Sequence, residues 1–251
     1  MPGLVSFVGA GPGDPELLTI KGRKAIETAG LVLYAGSLVP AEVVACARRG
    51  TRVVDSAPLT LEECHALALE TALAGEDVAR VHTGDPSLYG ALREQIALLD
   101  RDGIPWRVIP GVTAACAAAA AAGVTFTSPE VTQSLIITRL EGRTPMPETE
   151  KIRRLAAHKS SMAIYLSARL ADKARKELMR ALPPETPVLC AHRVGWPDER
   201  LVWTDVENMA RCVAENGLER QTVFLVLPAE DKPETRSRLY SADFVHSFRA
   251  V

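Results

Sequence analysis

The stretch Val8-Gly9-Ala10-Gly11-Pro12-Gly13-Asp14-Pro15 decides the fold class, because it follows the short apolar run of residues 4–8, which reads as a first strand. A glycine-rich turn directly after an N-terminal strand is typical of the dinucleotide-binding folds. This turn departs from their G-x-G-x-x-G fingerprint, since Asp14 stands in the third glycine position and its carboxylate would repel a phosphate. Pro12 and Pro15 also remove backbone donors. We therefore expect the loop to approach a ligand closely through its backbone, but not a phosphate.

The composition is that of an ordinary globular protein, with 251 residues, 47% hydrophobic residues, 24% charged residues and a net charge of -2. The length suffices for one large or two modest domains, and the charge does not indicate a general nucleic-acid-binding surface. We expect no secretory signal after Met1, and the most apolar run, residues 113–124, is too short to span a bilayer. The five cysteines are widely spaced without a C-x-x-C pair, which predicts a reduced, cytoplasmic setting and no metal site.

Apolar runs with strand character alternate with stretches of helical spacing in the first half of the chain. This alternation predicts a parallel sheet with right-handed crossovers. Thr60, followed three residues later by Glu63, is a capping-box pattern and predicts a helix from Leu61. The predicted strands are residues 4–8, 31–34, 52–55, 78–82 and 106–109, and the predicted helices are residues 17–28, 40–48, 61–73, 88–99 and 114–122.

A second set of elements begins near Thr132, and a charged tail after it ends in a short amphipathic piece, residues 244–248. The fold class predicted from both sets is α/β, with two α/β domains, a mainly parallel N-terminal sheet and a mixed C-terminal sheet. We expect the domains to cover residues 1–122 and 123–251. The second set comprises predicted strands at 134–138, 162–166, 188–191, 201–204 and 223–227, predicted helices at 152–157, 172–181 and 206–215, and a loop at 141–148.

Four glycine-containing loops each follow a predicted strand of the parallel sheet. The carboxyl edge of an open α/β sheet is where ligands bind, so four such loops at one edge favour a ligand site. Asp14 and Asp85 can each cap a following helix, contact a ligand, or do both. The four loops are residues 8–15, 34–39, 82–90 and 110–114.

These loops resemble those of a known family, the tetrapyrrole (corrin/porphyrin) methyltransferases. Residues 8–22 are similar to its opening signature, while Thr83-Gly84-Asp85-Pro86 and Pro110-Gly111-Val112-Thr113-Ala114 look like its S-adenosylmethionine loops. The resemblance extends from Leu4 to about Leu227. Tyr34-Ala35-Gly36-Ser37-Leu38-Val39, together with Ser128-Pro129-Glu130-Val131-Thr132-Gln133, resembles the branch that methylates precorrin-4 at C11 in cobalamin synthesis. Uroporphyrinogen-III methyltransferases usually have an aspartate where Ala35 stands.

The resemblance implies the tetrapyrrole methylase fold and a homodimer whose methyl donor, S-adenosyl-L-methionine, lies between the two domains, beneath a trough for the tetrapyrrole. S-adenosyl-L-homocysteine is the implied product of the donor. Leu166 falls where relatives often have methionine, and Val194 where they have a small residue near adenine. The implied donor contacts are Pro12, Thr83, Gly84, Asp85, Leu88, Thr113, Ala114, Leu166 and Val194, and the candidate substrate-binding residues are Tyr34, Ser37, Glu130 and Arg139.

The chemistry of this donor agrees with the unusual opening loop. S-adenosylmethionine carries a sulfonium and an ammonium group and no phosphate. The Asp85 carboxylate can pair with the ammonium group or accept hydrogen bonds from the ribose hydroxyls. We expect C11 to attack as an enamine-like carbon, so that no covalent nucleophile is needed, and we assign no catalytic base, although His82 lies beside the loops. Lys21, Arg139 and Arg193 are candidates for binding the substrate's carboxylates, or are ordinary surface charges.

Other functions remain open from the sequence. A nucleotide-binding dehydrogenase is one alternative, but the glycine fingerprint is incomplete. The second strand also ends in Tyr34-Ala35, where such an enzyme would carry an acidic residue. A non-catalytic module would not need ordered site loops. Within the same family, methylation at C17 or C20, a diphthine-type enzyme that modifies a protein, and a ring that already holds cobalt are all alternatives.

Overall fold

The computed structural model describes residues 1–230 together with residues 237, 238, 241, 244, 245 and 247. The chain divides into two compact units. The first comprises Met1–Ala117 and Arg193–Glu199, and the second comprises Ala118–His192 and the described residues from Arg200 onwards. The first division falls after Ala117, whereas the domain boundary predicted from the sequence falls after residue 122. Part of the amphipathic piece expected at 244–248 lies outside the described residues.

The first unit contains a five-stranded sheet in the order β3-β2-β4-β1-β5, in which every neighbouring pair is parallel. This confirms the predicted parallel N-terminal sheet. Val8 on β1, which lies between β4 and β5, pairs with Val81 and Ile109 in the register of the sheet. Because all strands run the same way, the loops that follow them meet at one edge. The strands are β1 Val5–Gly9, β2 Leu31–Tyr34, β3 Arg52–Asp55, β4 Val78–His82 and β5 Trp106–Ile109.

Helices cover both faces of this sheet. Val8 packs with Ile26 and Val43 on one face, while its chain neighbour Phe7 packs with Leu99 on the other, as alternation along a strand requires. The helices are α1 Ile20–Thr28, α2 Ala41–Val44, α3 Leu61–Leu73, α4 Leu92–Arg101 and α5 Ala114–Ala122, the last of which crosses the division between the units.

Two helices of the first unit begin as local capping dictates. The predicted capping box is present on α3, where the Thr60 hydroxyl accepts from the Glu63 N–H and the Glu63 carboxylate accepts from the Thr60 N–H. The predicted helix 17–28 instead begins at Ile20, because Thr19 caps it by accepting from the Gly22 N–H at 3.0 Å. A separate 3-10 turn, Pro15–Leu17, precedes it.

Two further helix predictions were too long. The predicted helix 40–48 ends at Val44, because the chain then tightens into i→i+3 hydrogen bonds, such as that from the Ala45 N–H to the Glu42 carbonyl. The predicted helix 88–99 starts only at Leu92, because Tyr89 and Ala91 have φ angles of 57° and 48°. Those left-handed conformations cannot belong to a right-handed helix.

The second unit contains a mixed five-stranded sheet in the order β6-β7-β10-β8-β9, as predicted. Only the β6–β7 pair is parallel among the pairs of this sheet. Phe224, Met162 and Leu178 are fully buried in its core. The strands are β6 Leu135–Arg139, β7 Ser161–Tyr165, β8 Pro187–His192, β9 Arg200–Asp205 and β10 Thr222–Val226, and the helices are α6 Ile152–Ala156, α7 Ala171–Leu178 and α8 Met209–Glu215.

Helix α8 is shorter than the predicted helix 206–215. The Asp205 carboxylate accepts from both the N–H and the side-chain amide of Asn208, which holds a turn ahead of the helix. Among the described residues, no helix is both long enough and apolar enough to cross a membrane.

Candidate functional site

Three of the four predicted loops meet at the carboxyl edge of the first sheet. The Ala10 N–H extends the β1–β4 pairing by donating to the His82 carbonyl at 2.7 Å. Gly11 and Gly84 then exchange backbone hydrogen bonds, of 2.7 Å from the Gly84 N–H and 3.2 Å from the Gly11 N–H. The opening loop and the loop after β4 therefore form one rigid backbone surface. The loop after β5 joins them through the close packing of Gly111 and through its hydrogen bond to Asp85.

Glycines stand where these loops touch. A Cβ atom on Gly111 would lie 2.8 Å from the Cα and carbonyl carbon of Gly9, and closer still to the Gly84 carbonyl oxygen. A Cβ atom on Gly9 would lie 2.8 Å from the same Gly84 oxygen. Side chains at these positions would force the loops apart. The sequence predicted that the glycines allow close approach to a ligand, and the structure shows that they allow the loops to approach one another.

Asp85 joins the loop after β4 to the loop after β5. Its Oδ2 accepts from the Gly111 N–H at 3.0 Å, and its Oδ1 accepts from the N–H and the hydroxyl of Ser87. Burial disfavours the charged carboxylate, but these hydrogen bonds outweigh it and hold the pKa of Asp85 below its usual value. A carboxylate has about four acceptor positions. Three are used within the protein, which leaves one on Oδ2.

Asp14 acts as a cap. Its Oδ1 accepts from the Glu16 N–H at 2.8 Å and so begins the 3-10 turn Pro15–Leu17. This confirms the capping role that the sequence allowed for Asp14. Its carboxylate also places negative charge within the opening loop.

A segment far away in sequence, Arg193–Glu199, covers the opening loop within the first unit. The Trp196 indole N–H donates to the Pro12 carbonyl at 3.2 Å, and a Cβ atom on Gly13 would lie 2.5 Å from the same indole nitrogen. The Arg193 guanidinium stacks over the Trp196 ring at 4.0 Å. Sequence reasoning did not single out Trp196. Only its aromatic side chain within a Gly-Trp-Pro turn hinted at a contact of this kind.

The loop that follows β2, residues 34–39, is held by the end of β3. The Gly36 N–H donates to Asp55 Oδ1 at 2.8 Å, and a Cβ atom on Gly36 would lie 2.6 Å from Asp55 Oδ2. Hydrogen bonds from the Ala57 and Gly36 N–H groups lower the pKa of Asp55. The Tyr34 carbonyl accepts from the N–H and the hydroxyl of Ser56. Asp55 and Ser56 thus fix the shape of this loop, and no sequence motif singled them out.

His82 lies beneath the loop after β4 rather than on its surface. Its side chain is buried, its ring lies 6.0 Å from that of Phe7, and its Nε2 has no hydrogen-bond partner among the described residues. Burial, with a smaller contribution from the nearby charge of Arg80, lowers the pKa of His82 to about 3. The imidazole is therefore neutral at neutral pH.

Comparison with known proteins identifies the family. Residues 4–210 match the family described as tetrapyrrole (corrin/porphyrin) methylases. The chain belongs to this family. A cobalt-precorrin-4 C(11)-methyltransferase from Priestia megaterium is 44% identical over 248 residues, which cover 97% of this chain and 96% of that protein. A precorrin-4 C(11)-methyltransferase from Pseudomonas aeruginosa is 43% identical over 248 residues, which cover 98% of each chain.

Solved structures of tetrapyrrole methylases share the fold. The X-ray structure of a cobalt-precorrin-4 methyltransferase matches with a TM-score of 0.87 and 43% identity, over 89% of this chain and 94% of that chain. A uroporphyrin-III C-methyltransferase from Thermus thermophilus, described as complexed with S-adenosyl homocysteine, matches with a TM-score of 0.73 and 29% identity, over 89% of this chain and 92% of that chain. The predicted tetrapyrrole methylase fold is confirmed.

The residues that the sequence assigned to the donor fall into two groups in this tetrapyrrole methylase. Thr83 is exposed, and Leu88 and Thr113 are half-buried, so their side chains reach the surface of the loops. Pro12 is buried under Trp196, and Val194 is only 6% exposed. The remaining donor candidates in the loops are Gly84, which is buried, and Asp85 and Ala114, which are half-buried.

Leu166 is conspicuous in the second unit. It directly follows β7 with a φ of 53°, and 68% of its surface is exposed. A large apolar residue in a left-handed conformation is strained, and such strain is concentrated at functional sites.

The candidate substrate residues differ in how exposed they are and in whether their side chains are already engaged within the protein. Tyr34 is half-buried and Ser37 exposed on the loop after β2. Glu130 is exposed with a φ of 66° and lies 3.9 Å from Arg238. The Arg139 guanidinium donates to the carbonyls of residues 140, 144 and 145, so it holds its own loop together. Of the other basic candidates, Lys21 is exposed, and Arg193 is engaged with Trp196 and with Asp198 at 2.8 Å.

The electrostatic character of the three packed loops is acidic. Residues 9–19, 83–91 and 110–114 contain three carboxylates, Asp14, Glu16 and Asp85, and no lysine or arginine. Dinucleotide sites attract the pyrophosphate with a helix N-terminus and glycine N–H groups. Here the Gly11, Gly84 and Gly111 N–H groups are bonded within the protein. The loops suit a cationic ligand rather than a phosphate.

Proposed function

We propose that this protein transfers a methyl group from S-adenosyl-L-methionine to C11 of precorrin-4, in cobalamin biosynthesis. One observation carries the proposal. Proteins named as C11-methyltransferases of precorrin-4 or cobalt-precorrin-4 match nearly the whole chain at up to 44% identity, whereas a uroporphyrinogen-III C-methyltransferase from Paracoccus denitrificans matches at 32%. Alanine at position 35, where the uroporphyrinogen enzymes usually carry aspartate, supports the same assignment.

The loops of the first unit fit the proposed donor. An ionised Asp85, with one acceptor position left on Oδ2, suits the donor's ammonium group or a ribose hydroxyl. These loops carry no lysine or arginine of their own that would repel the sulfonium. We retain Thr83, Leu88 and Thr113 as contacts through exposed or half-buried side chains. Pro12, Gly84, Ala114 and Val194 are retained as backbone or packing contacts, and Leu166 as an apolar contact.

When bound, the donor supplies an electrophilic methyl group to the attacking ring carbon. The protein's part is to place C11 in line with the S–CH₃ bond and to exclude water. Such orientation can contribute roughly 7–11 kcal/mol to lowering a barrier. The loop held by Asp55 and Ser56 presents Tyr34 and Ser37 as proposed substrate contacts, together with Glu130 and Arg139. No residue is assigned as a catalytic base, and the neutral, buried His82 gives no support for that role.

The experiment compares three tetrapyrroles with one purified protein. We expect a single methyl group on precorrin-4, located at C11 by NMR with a ¹³C-methyl donor, and none on uroporphyrinogen III. The named relatives include enzymes for both metal-free and cobalt-containing rings, so cobalt-precorrin-4 is assayed beside precorrin-4. Equal methylation of uroporphyrinogen III would contradict the assignment, and binding of NAD in place of S-adenosylmethionine would contradict the reaction class. A homodimer and a cytoplasmic location are further proposals. A monomer in light scattering at micromolar concentration would refute the dimer.

A further inference from the structure

A half-buried cation in the middle of the first sheet connects two of the site loops. Arg80 lies on β4, and no carboxylate of the described residues forms an ion pair with it. Burial lowers the pKa of Arg80 from its ordinary value. A charge withdrawn from water is costly unless hydrogen bonds stabilise it. Apart from a longer hydrogen bond of 3.5 Å from an Arg80 Nη to the Leu33 carbonyl, the partners that supply those bonds are side chains in two different segments of the chain.

On one side, Arg80 fixes a serine that supports the loop after β2. An Arg80 Nη donates to the Ser56 hydroxyl oxygen at 2.7 Å, and Ser56 is buried. The Ser56 hydroxyl donates in turn to the Tyr34 carbonyl at 3.1 Å. A hydroxyl has one proton to give, and accepting from the guanidinium directs that proton towards Tyr34. Tyr34 begins the loop that is proposed to contact the tetrapyrrole.

On the other side, Arg80 fixes an amide that supports the end of the loop after β4. Arg80 Nε donates to Gln95 Oε1 at 3.1 Å. The Gln95 side-chain NH₂ group then donates to the carbonyls of Gly90 and Ala91, each at 3.1 Å. Because the guanidinium can only donate, it also fixes which end of the amide faces the loop. Ala91 has a left-handed φ of 48°, a conformation that needs support from its surroundings.

We propose that Arg80 is a positioning residue that couples the loop of residues 34–39 to the loop of residues 82–91. The inference rests on the proposed function, because that function assigns the first loop to the tetrapyrrole and the second to the methyl donor. Ser56 and Gln95 are the two arms of the connection, and Arg80 joins them. Neither arm contacts the other directly in the described hydrogen bonds.

The arms predict different kinetic effects. Ser56→Ala should raise KM for the tetrapyrrole about fivefold and leave the Kd of S-adenosylmethionine unchanged, because the hydroxyl's bonds to Arg80 and to the Tyr34 carbonyl are lost while those of Gln95 remain. Gln95→Met should raise the donor Kd about fivefold with little change in tetrapyrrole KM. Arg80→Met should raise both constants. Arg80→Lys keeps the charge, but its ammonium group cannot donate in both directions as the planar guanidinium does. Compared with Arg80→Met, it should recover more of the lost stability than of the lost tetrapyrrole KM and donor Kd.

Arg107→Met is the matched control. Arg107 is also half-buried on a strand of the same sheet and also donates to a serine, from Nε to the Ser6 hydroxyl at 2.9 Å, but neither residue lies in a site loop. It should lower the unfolding temperature without changing either constant. If Arg80→Met behaves like Arg107→Met, Arg80 is only a structural residue and the coupling is refuted.

Hydrogen exchange separates this proposal from the proposed function, because it needs neither substrate nor activity. Amides of residues 34–39 and 82–91 should exchange faster together in Arg80→Met, and in Arg107→Met they should not. A wild-type protein that fails to methylate precorrin-4 would refute the proposed function, yet joint loosening of both loops would still support the coupling. Exchange that rises in only one loop would overturn it.

Discussion

Replacement of Gly111 by alanine tests whether backbone packing among the three loops forms the site. The new Cβ atom would lie 2.8 Å from the Gly9 backbone, and ordinary contact begins at 3.4 Å, so the backbones must separate by at least 0.6 Å (3.4 minus 2.8). The Gly84 carbonyl oxygen would have to move further. Neither neighbour is the end of a flexible side chain. We expect a loss of about 3 kcal/mol in the free energy of unfolding, at the upper end of typical overpacking costs.

Thermal unfolding and calorimetric titration of S-adenosylmethionine measure the two consequences. A loss of about 3 kcal/mol corresponds to a fall of roughly 6–12 °C in the unfolding temperature of a chain of this size. Donor affinity should fall as well, because the separation also lengthens the hydrogen bond from the Gly111 N–H to Asp85. Gly142→Ala is the control, since its Cβ atom meets only Leu170, at an ordinary 3.5 Å. If Gly111→Ala resembled Gly142→Ala in both measurements, the loops would not be held by this packing.

Three further predictions concern single side chains of the first unit. Asp85→Asn replaces one carboxylate oxygen by an NH₂ group, which cannot accept from the Gly111 N–H or from Ser87. The variant should therefore lose about 1–3 kcal/mol of stability and bind the donor more weakly in calorimetry. Unchanged affinity would contradict the donor placement. Trp196→Phe removes the hydrogen bond to the Pro12 carbonyl and should cost about 1 kcal/mol in urea unfolding; no change would show that the indole N–H adds nothing. The pKa of about 3 for the buried His82, against 6.5 for an ordinary histidine, means that the unfolded chain takes up the proton first as pH falls. Wild-type stability should therefore fall from about pH 6.5 to 4.5, by up to about 1.4 kcal/mol per unit more than in His82→Phe, and parallel pH curves would refute this.

The strands were predicted well because their signal is local. Residues 31–34, 52–55, 78–82 and 106–109 were predicted with the bounds that the structure shows for β2 to β5. Each is a short run with apolar or β-branched residues, bounded by turn residues, and that pattern predicts a strand both for the buried β2 and β4 and for the more exposed edge strands β3 and β5.

Helix starts were harder because they depend on backbone conformations that the sequence does not specify. Tyr89 and Ala91 adopt left-handed φ angles that non-glycine residues rarely take. Periodicity alone therefore extended α4 backwards from Leu92 through both of them. The hydrogen bonds from Gln95 that support this conformation are visible only once the helix is folded against the loop.

Long-range contacts at the site were also beyond a sequence pattern. Trp196 and Pro12, which share a hydrogen bond, are 184 residues apart, and nothing in either segment identifies the other. Asp55 and Ser56 end β3 like many polar residues that follow a strand. Their importance comes from the parallel pairing of β2 with β3, which places them beside residues 34–36.

The packed loops also change the physical account of ligand selection. The Gly11, Gly84 and Gly111 N–H groups, which a phosphate would need, are satisfied by the Gly84 carbonyl, the Gly11 carbonyl and the Asp85 carboxylate. What these loops offer a ligand is therefore the exposed side chain of Thr83 and the remaining acceptor position on Asp85. An anion would have to displace internal hydrogen bonds and approach three carboxylates, while a cation would meet neither cost. The preference of this edge for a cationic ligand thus follows from the hydrogen bonds that the glycines make within the protein, and not from the number of glycines.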